Sequence, residues 1–149
     1  MEWIEVLFSA RNLNMVIFPK AILLEMITEI SNETRYKLEG QIAEHIVEYF
    51  QFLHSSHRGH LSNEEYYHIV ERLLGEKGLM WLDHLEFSID SQKKIQYFQG
   101  THRLGALWSE FVFNAVKIIL EEQFSAIILL DSVIVGNHLV SFEFTLPKE

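Results

Sequence analysis

The chain has 149 residues, 48% of them hydrophobic and 22% charged, which suits one globular domain with a real core. A formal net charge of −9 repels a phosphate backbone or an anionic membrane surface, which argues against nucleic-acid binding. With no cysteines, disulfides, thiolate catalysis and Cys-ligated zinc or iron–sulfur sites are excluded.

Residues Met1 to Glu5 carry neither the basic nor the apolar region of a signal peptide. No apolar run approaches the ~18 residues of a bilayer span, so the expectation is a cytoplasmic chain without one. Only two prolines occur, and no repeat or Ser/Gly-rich linker divides the chain. One α+β domain over 1–149 is expected.

In chain order, residues 3–8 and 13–18 read as two short strands. A helix over 20–30 follows Pro19, with Ile22, Leu23, Met26, Ile27 and Ile30 at helical spacing. Ser31 and Asn32 suit the N-cap of a longer helix. Its expected apolar stripe is Tyr36, Gly40, Ala43, Val47 and Phe50, with Ile42, Ile46, Tyr49 and Leu53 beside it and close packing compensating for Gly40. Ser62-Asn63-Glu64-Glu65 has capping-box spacing and predicts a helix near 63–74, ended by Gly75 and Gly78. Leu79 to Leu82 then reads as a further helical turn.

Two strands, 85–89 and 94–97, predict a hairpin whose apolar face is Leu85, Phe87, Ile89, Ile95 and Tyr97. Residues 102–123 form the most apolar helix. Leu104, Leu107, Trp108, Phe111, Ala115 and Ile118 make one stripe, and Phe113, Val116 and Leu120 carry it nearly all round. Such a helix is either central or covered by a second subunit. Residues 126–135 and 138–146 close the chain as a hairpin around Gly136-Asn137. A two-residue loop there pairs Val135 with His138. It sets Ile127, Leu129, Asp131 and Val133 opposite Leu146, Phe144, Phe142 and Val140. Hairpins 85–99 and 126–146 joined by a helix favour an antiparallel sheet packed against about four helices.

Four groups of residues could carry chemistry. His54, His57 and His60 could bind a metal, or simply cap a solvated helix end. Thr101, His102 and Arg103 at a helix start could hold a phosphate or carboxylate, or form an ordinary cap. Asp131 on an apolar sheet face needs a partner such as His102 or Arg103; otherwise a β-bulge turns it to water. Trp81, Tyr97, Phe98, Trp108, Phe111, Phe113, Phe142 and Phe144 could line an apolar pocket or fill the core. Glu44, His45 and Glu48 share adjacent helical turns, an arrangement common on solvated helices. No catalytic residue set, nucleotide fingerprint or nucleophile elbow stands out, and no pattern names a cofactor.

Gly100-Thr101-His102-Arg103-Leu104-Gly105 and the Gly136-Asn137-His138 hairpin lie in an order of helices, hairpin, apolar helix and closing hairpin. Over about 19–146 that order resembles the vinyl-reductase-type domain of small-molecule sensors and the related subunits of vesicle-tethering complexes. The metal-binding cysteines of some sensor members are absent here. The resemblance implies an apolar ligand cavity or a homodimer built on helices.

The expected function is therefore a non-enzymatic sensing or protein-interaction module, homodimeric, with an apolar small molecule as ligand. Thr101, His102, Arg103, Trp108, Phe111 and Asp131 are its candidate contacts. The alternatives are an acidic inhibitor or immunity-type protein that masks a basic partner, and a metal binder built on the histidines.

Overall fold

The computed structural model describes residues 20–56 and 62–147. The expected strands 3–8 and 13–18 lie outside the described residues, as do His57, His60 and the side chain of His54. Helices α1 (Lys20–Glu29), α2 (Asn32–Ser56) and α3 (Asn63–Leu74) precede strands β1 (His84–Asp90) and β2 (Ile95–Thr101). Helix α4 (Ala106–Phe124) and strands β3 (Ile127–Val135) and β4 (Leu139–Thr145) complete the order. The expected α+β architecture is present, with one antiparallel sheet ordered β1-β2-β4-β3. Among the described residues no helix is long and apolar enough to cross a membrane.

Local chemistry accounts for the helix starts. Ser31 Oγ accepts from Thr34 N at 3.2 Å, capping α2. At α3 the capping box closes from both sides. Ser62 Oγ accepts from Glu65 N, and Glu65 Oε2 accepts from Ser62 N at 2.6 Å. Beyond α3 the chain is not helical, contrary to the reading of Leu79–Leu82. Leu79 N and Leu82 N return to the carbonyls of Leu73 and Leu74, and Met80 takes a left-handed φ of 57°. This turn buries Trp81 and Leu82 under the sheet end.

Facing phenylalanines define the inner face of the sheet. Phe87 pairs with Phe98, and Phe98 with Phe142, so the three stand in a row across β1, β2 and β4. Tyr67 of α3 stacks on Phe87 with centroids 4.5 Å apart, and Phe113 of α4 meets Phe142 edge-on at 5.4 Å. Both helices therefore cover the same face. On β2 the inward residues are Gln96, Phe98 and Gly100, not the expected Ile95 and Tyr97. The strand runs on to Thr101, and its pairing puts Phe98 beside the buried Phe142. Gln96 is inward because the Tyr67 hydroxyl donates to its Oε1.

Helix α4 is the centre of the core. Trp108, Phe111, Val112, Ala115, Val116, Ile119 and Leu120 are all fully buried. The sheet covers one side of α4 and α2 lies along another. Its all-round apolarity is thus satisfied within one chain, which removes the need for a second subunit to cover it. The helix begins at Ala106 rather than 102, because Gly105 with φ 87° breaks the helical path before it.

Helix α2 buries the expected Ala43, Ile46 and Val47, but toward its N-terminus the buried side runs through Arg35 and Glu39 instead of Tyr36. Tyr36 is exposed and stacks on the Arg35 guanidinium at 5.8 Å. Gly40 is not in close packing: an added Cβ would meet nothing within 4 Å.

The closing hairpin also departs from its expected register. Val135 pairs with Val140 rather than His138, because Gly136 to Leu139 together make the turn. Further along, Leu130 to Val133 stand against Phe142 alone, an extended bulge between the pairs Leu129–Glu143 and Ile134–Ser141. Beyond it Ile127 pairs with Thr145 and is exposed, while Ile128 pairs with Phe144 and is buried.

Candidate functional site

The two loops singled out in the sequence meet in space. His102 N donates to His138 O and Gly105 N to Asn137 O, each at 3.1 Å, tying the β2–α4 connector to the closing turn. Beneath these bonds lies a buried side-chain relay. His102 is 2% exposed and Ser109 0%. Ser109 Oγ donates to Gly136 O at 2.5 Å and so accepts from His102 Nε2 at 2.6 Å. On the other side of the ring, His102 Nδ1 accepts from Leu104 N at 3.0 Å.

These roles fix the imidazole as the neutral Nε2–H tautomer. A serine–histidine pair suggests a nucleophile with its base. Here the histidine nitrogen facing the hydroxyl is a donor, and the serine proton is held by a backbone carbonyl. The pair acts as a structural clamp, not as a base activating a hydroxyl.

Next to this clamp is a cleft of about 470 Å³, within the size range of small-ligand sites. Glu76, Met80, Leu82 and Asp83 line it from the turn between α3 and β1. Arg103 and Leu104 line it from the β2–α4 connector. Leu82 reaches the cleft by crossing Gly100, whose added Cβ would lie 2.7 Å from Leu82 Cδ1. Only glycine leaves room for that crossing. At the rim, Arg103 Nε lies 3.8 Å from Asp83 Oδ2, and Arg103 is 92% exposed. An ion pair this open is weak, so a ligand group can compete for either partner.

The other sequence candidates are dispersed. Thr101 ends β2, and the N–H groups of His102, Leu104 and Gly105 are all bonded within the protein. Trp108 and Phe111 are core residues, stacked with centroids 5.3 Å apart, and Trp108 Nε1 donates to Trp81 O at 2.9 Å. Asp131 is exposed within the bulge of β3, whereas His102 is buried and bonds Ser109, and Arg103 faces Asp83. Phe98, Phe142 and Phe144 likewise fill the core. His45 and Glu48 form an exposed pair at 3.3 Å. Among the described residues no group of three or more His, Asp or Glu side chains could hold a metal ion.

Sequence reasoning missed a buried polar cluster between α2 and α4. Glu39 is 1% exposed and Arg35 7%. Asn114 Nδ2 donates to Glu39 Oε2 at 2.9 Å, and Arg35 Nη2 donates to Asn32 Oδ1 at 3.0 Å. Arg35 lies 3.9 Å from Glu39 Oε1 and 3.7 Å from Glu110 Oε2. Burial pushes the Glu39 carboxyl up to about 7, against the lowering effects of Asn114 and then Arg35, while Glu110 adds to the rise. Charged residues in a helix read as solvent-facing. The only signal available was their i,i+4 spacing in line with Ala43 and Ile46.

No family model, no curated protein and no solved structure matches this chain.

Proposed function

We propose that this chain is a non-enzymatic binding module whose cleft between the α3–β1 turn and the β2–α4 connector takes a small apolar molecule with a polar end. The observation that carries this reading is the cleft itself: Met80, Leu82 and Leu104 supply apolar lining, with the Arg103–Asp83 pair at its rim. The resemblance to vinyl-reductase-type sensor domains favours the same class of function, with homodimerisation as part of the proposal. The clamp below the cleft holds Leu104 by its backbone, so the lining is pre-organised.

The test uses the fluorescent probe 1-anilinonaphthalene-8-sulfonate with the wild-type protein and with Leu104→Trp, which fills the cleft. Saturable binding that drops at least about tenfold in the filled variant supports the reading. Equal binding by both proteins, or none by either, overturns it.

A second reading, an acidic surface that masks a basic partner, draws on a different observation. Tyr66 and Tyr67 touch Phe124 with centroids 5.4 and 5.5 Å away, which brings the start of α3 beside the end of α4. The exposed Glu64, Glu121 and Glu122 therefore share one region. Changing these three to lysine should weaken poly-lysine binding more than the same change at Glu25, Glu29 and Glu33. Equal weakening removes the reading.

A further inference from the structure

We infer that Arg35, Glu39, Glu110 and Asn114 form a proton-operated clasp that sets how tightly α2 closes on α4. The cluster spans the interface through which α2 covers the central helix. Its two most buried charged groups are poorly matched. Arg35 Nε and Glu39 Oε1 are 3.9 Å apart, and each is buried without a hydrogen bond. An ionised Glu39 leaves Oε1 a buried anion lacking a donor, with Glu110 adding like-charge repulsion across the interface. A protonated Glu39 removes both costs, keeps Asn114 as neighbour, and leaves Arg35 to Glu110 and Asn32.

The groups facing Glu39 are Arg35 from its own helix and Glu110 and Asn114 from α4. Glu25 and Glu29 of α1 are exposed. Burial is the largest effect on this carboxyl and holds it near 7, so the clasp works in the neutral range. When α2 lifts, Glu39 regains water and returns toward the ordinary carboxyl value of about 4.3. Opening therefore releases a proton and is favoured by rising pH. Because Ala43, Ile46 and Val47 share the covered side of α2, opening exposes apolar surface beneath that helix.

Two measurements test the clasp. In the intact protein, the Glu39 side-chain carbonyl ¹³C shift should titrate with a midpoint near 7; a midpoint at the ordinary carboxyl value overturns the inference. Hydrogen exchange of α2 amides, corrected for intrinsic rates, should show opening increase roughly tenfold from about pH 6 to about pH 8. Glu39→Gln mimics the protonated side chain and should make that opening independent of pH. Equal pH dependence in both proteins, or none in the wild type, also overturns the inference.

Discussion

Ser109 Oγ stands between His102 Nε2 at 2.6 Å and the Gly136 carbonyl at 2.5 Å, accepting from one and donating to the other. Replacing Ser109 by alanine takes a hydrogen bond from the buried His102 imidazole and another from the part-buried Gly136 carbonyl. The expected cost is about 2 kcal/mol or somewhat more, measured as a lower midpoint in urea at unchanged slope. Threonine keeps the hydroxyl and should recover part of the loss.

The two structurally opposite glycines should respond with opposite signs. Gly40→Ala adds a methyl where nothing lies within 4 Å and removes a flexible residue from the middle of α2. A gain of about 0.5–1 kcal/mol is expected. Gly100→Ala drives a methyl against the buried Leu82, at 2.7 and 3.0 Å from its two terminal carbons. A loss of about 1–3 kcal/mol is expected, with shifted Leu82 methyl resonances in NMR spectra.

Ser132 holds the β3 bulge together. Its hydroxyl donates to Leu129 O at 2.6 Å and accepts from Glu143 N at 2.7 Å, replacing ladder bonds that the bulge interrupts. Ser132→Ala should cost about 1–2 kcal/mol and speed exchange of the Glu143 amide. An unchanged Glu143 protection factor would show that the ladder has another support there.

Stability should depend on pH through Glu39 in the reverse of the usual carboxylate sense. Its folded-state value is raised from 4.5 to about 7, so between these limits the folded chain holds a proton that the unfolded chain has released. The contribution is complete below pH 4.5 and is lost as pH rises toward 7. Its full size is about 3 kcal/mol. Subtracting the unfolding free energy of Glu39→Gln at each pH isolates it. The wild type should fall progressively behind the variant over that window.

Much of the fold was legible because local signals agreed with the final packing. The Ser62–Glu65 capping box marked α3, and the all-round apolarity of the helix after Arg103 marked it as either central or covered by a second subunit. Pairing was read less well. On β2 the register sets Ile95 opposite Asp90 and Gln96 opposite Ile89, so Gln96 and Phe98 rather than Ile95 and Tyr97 share the face of Phe87, and β3 takes up extra residues opposite Phe142. The site was partly legible. The 100–105 and 136–138 segments were singled out and do meet, but the facing wall was not: Met80 lies in the stretch Leu79–Leu82 read as a helical turn, and Glu76 and Asp83 flank it without any signal of their own. Met80 in a left-handed conformation is a choice made by tertiary contacts, not by propensity.

The strand order carries a consequence for how the protein is made. β4 is last of the four strands in sequence yet lies between β2 and β3. Until it emerges from the ribosome, β2 has one unpaired edge, and Phe98 lacks the ring that stacks on it 4.9 Å away. A nascent or truncated chain ending after α4 thus presents a sticky, half-built sheet to its neighbours. Shielding during synthesis should matter most in the interval before Phe142 and Phe144 are translated.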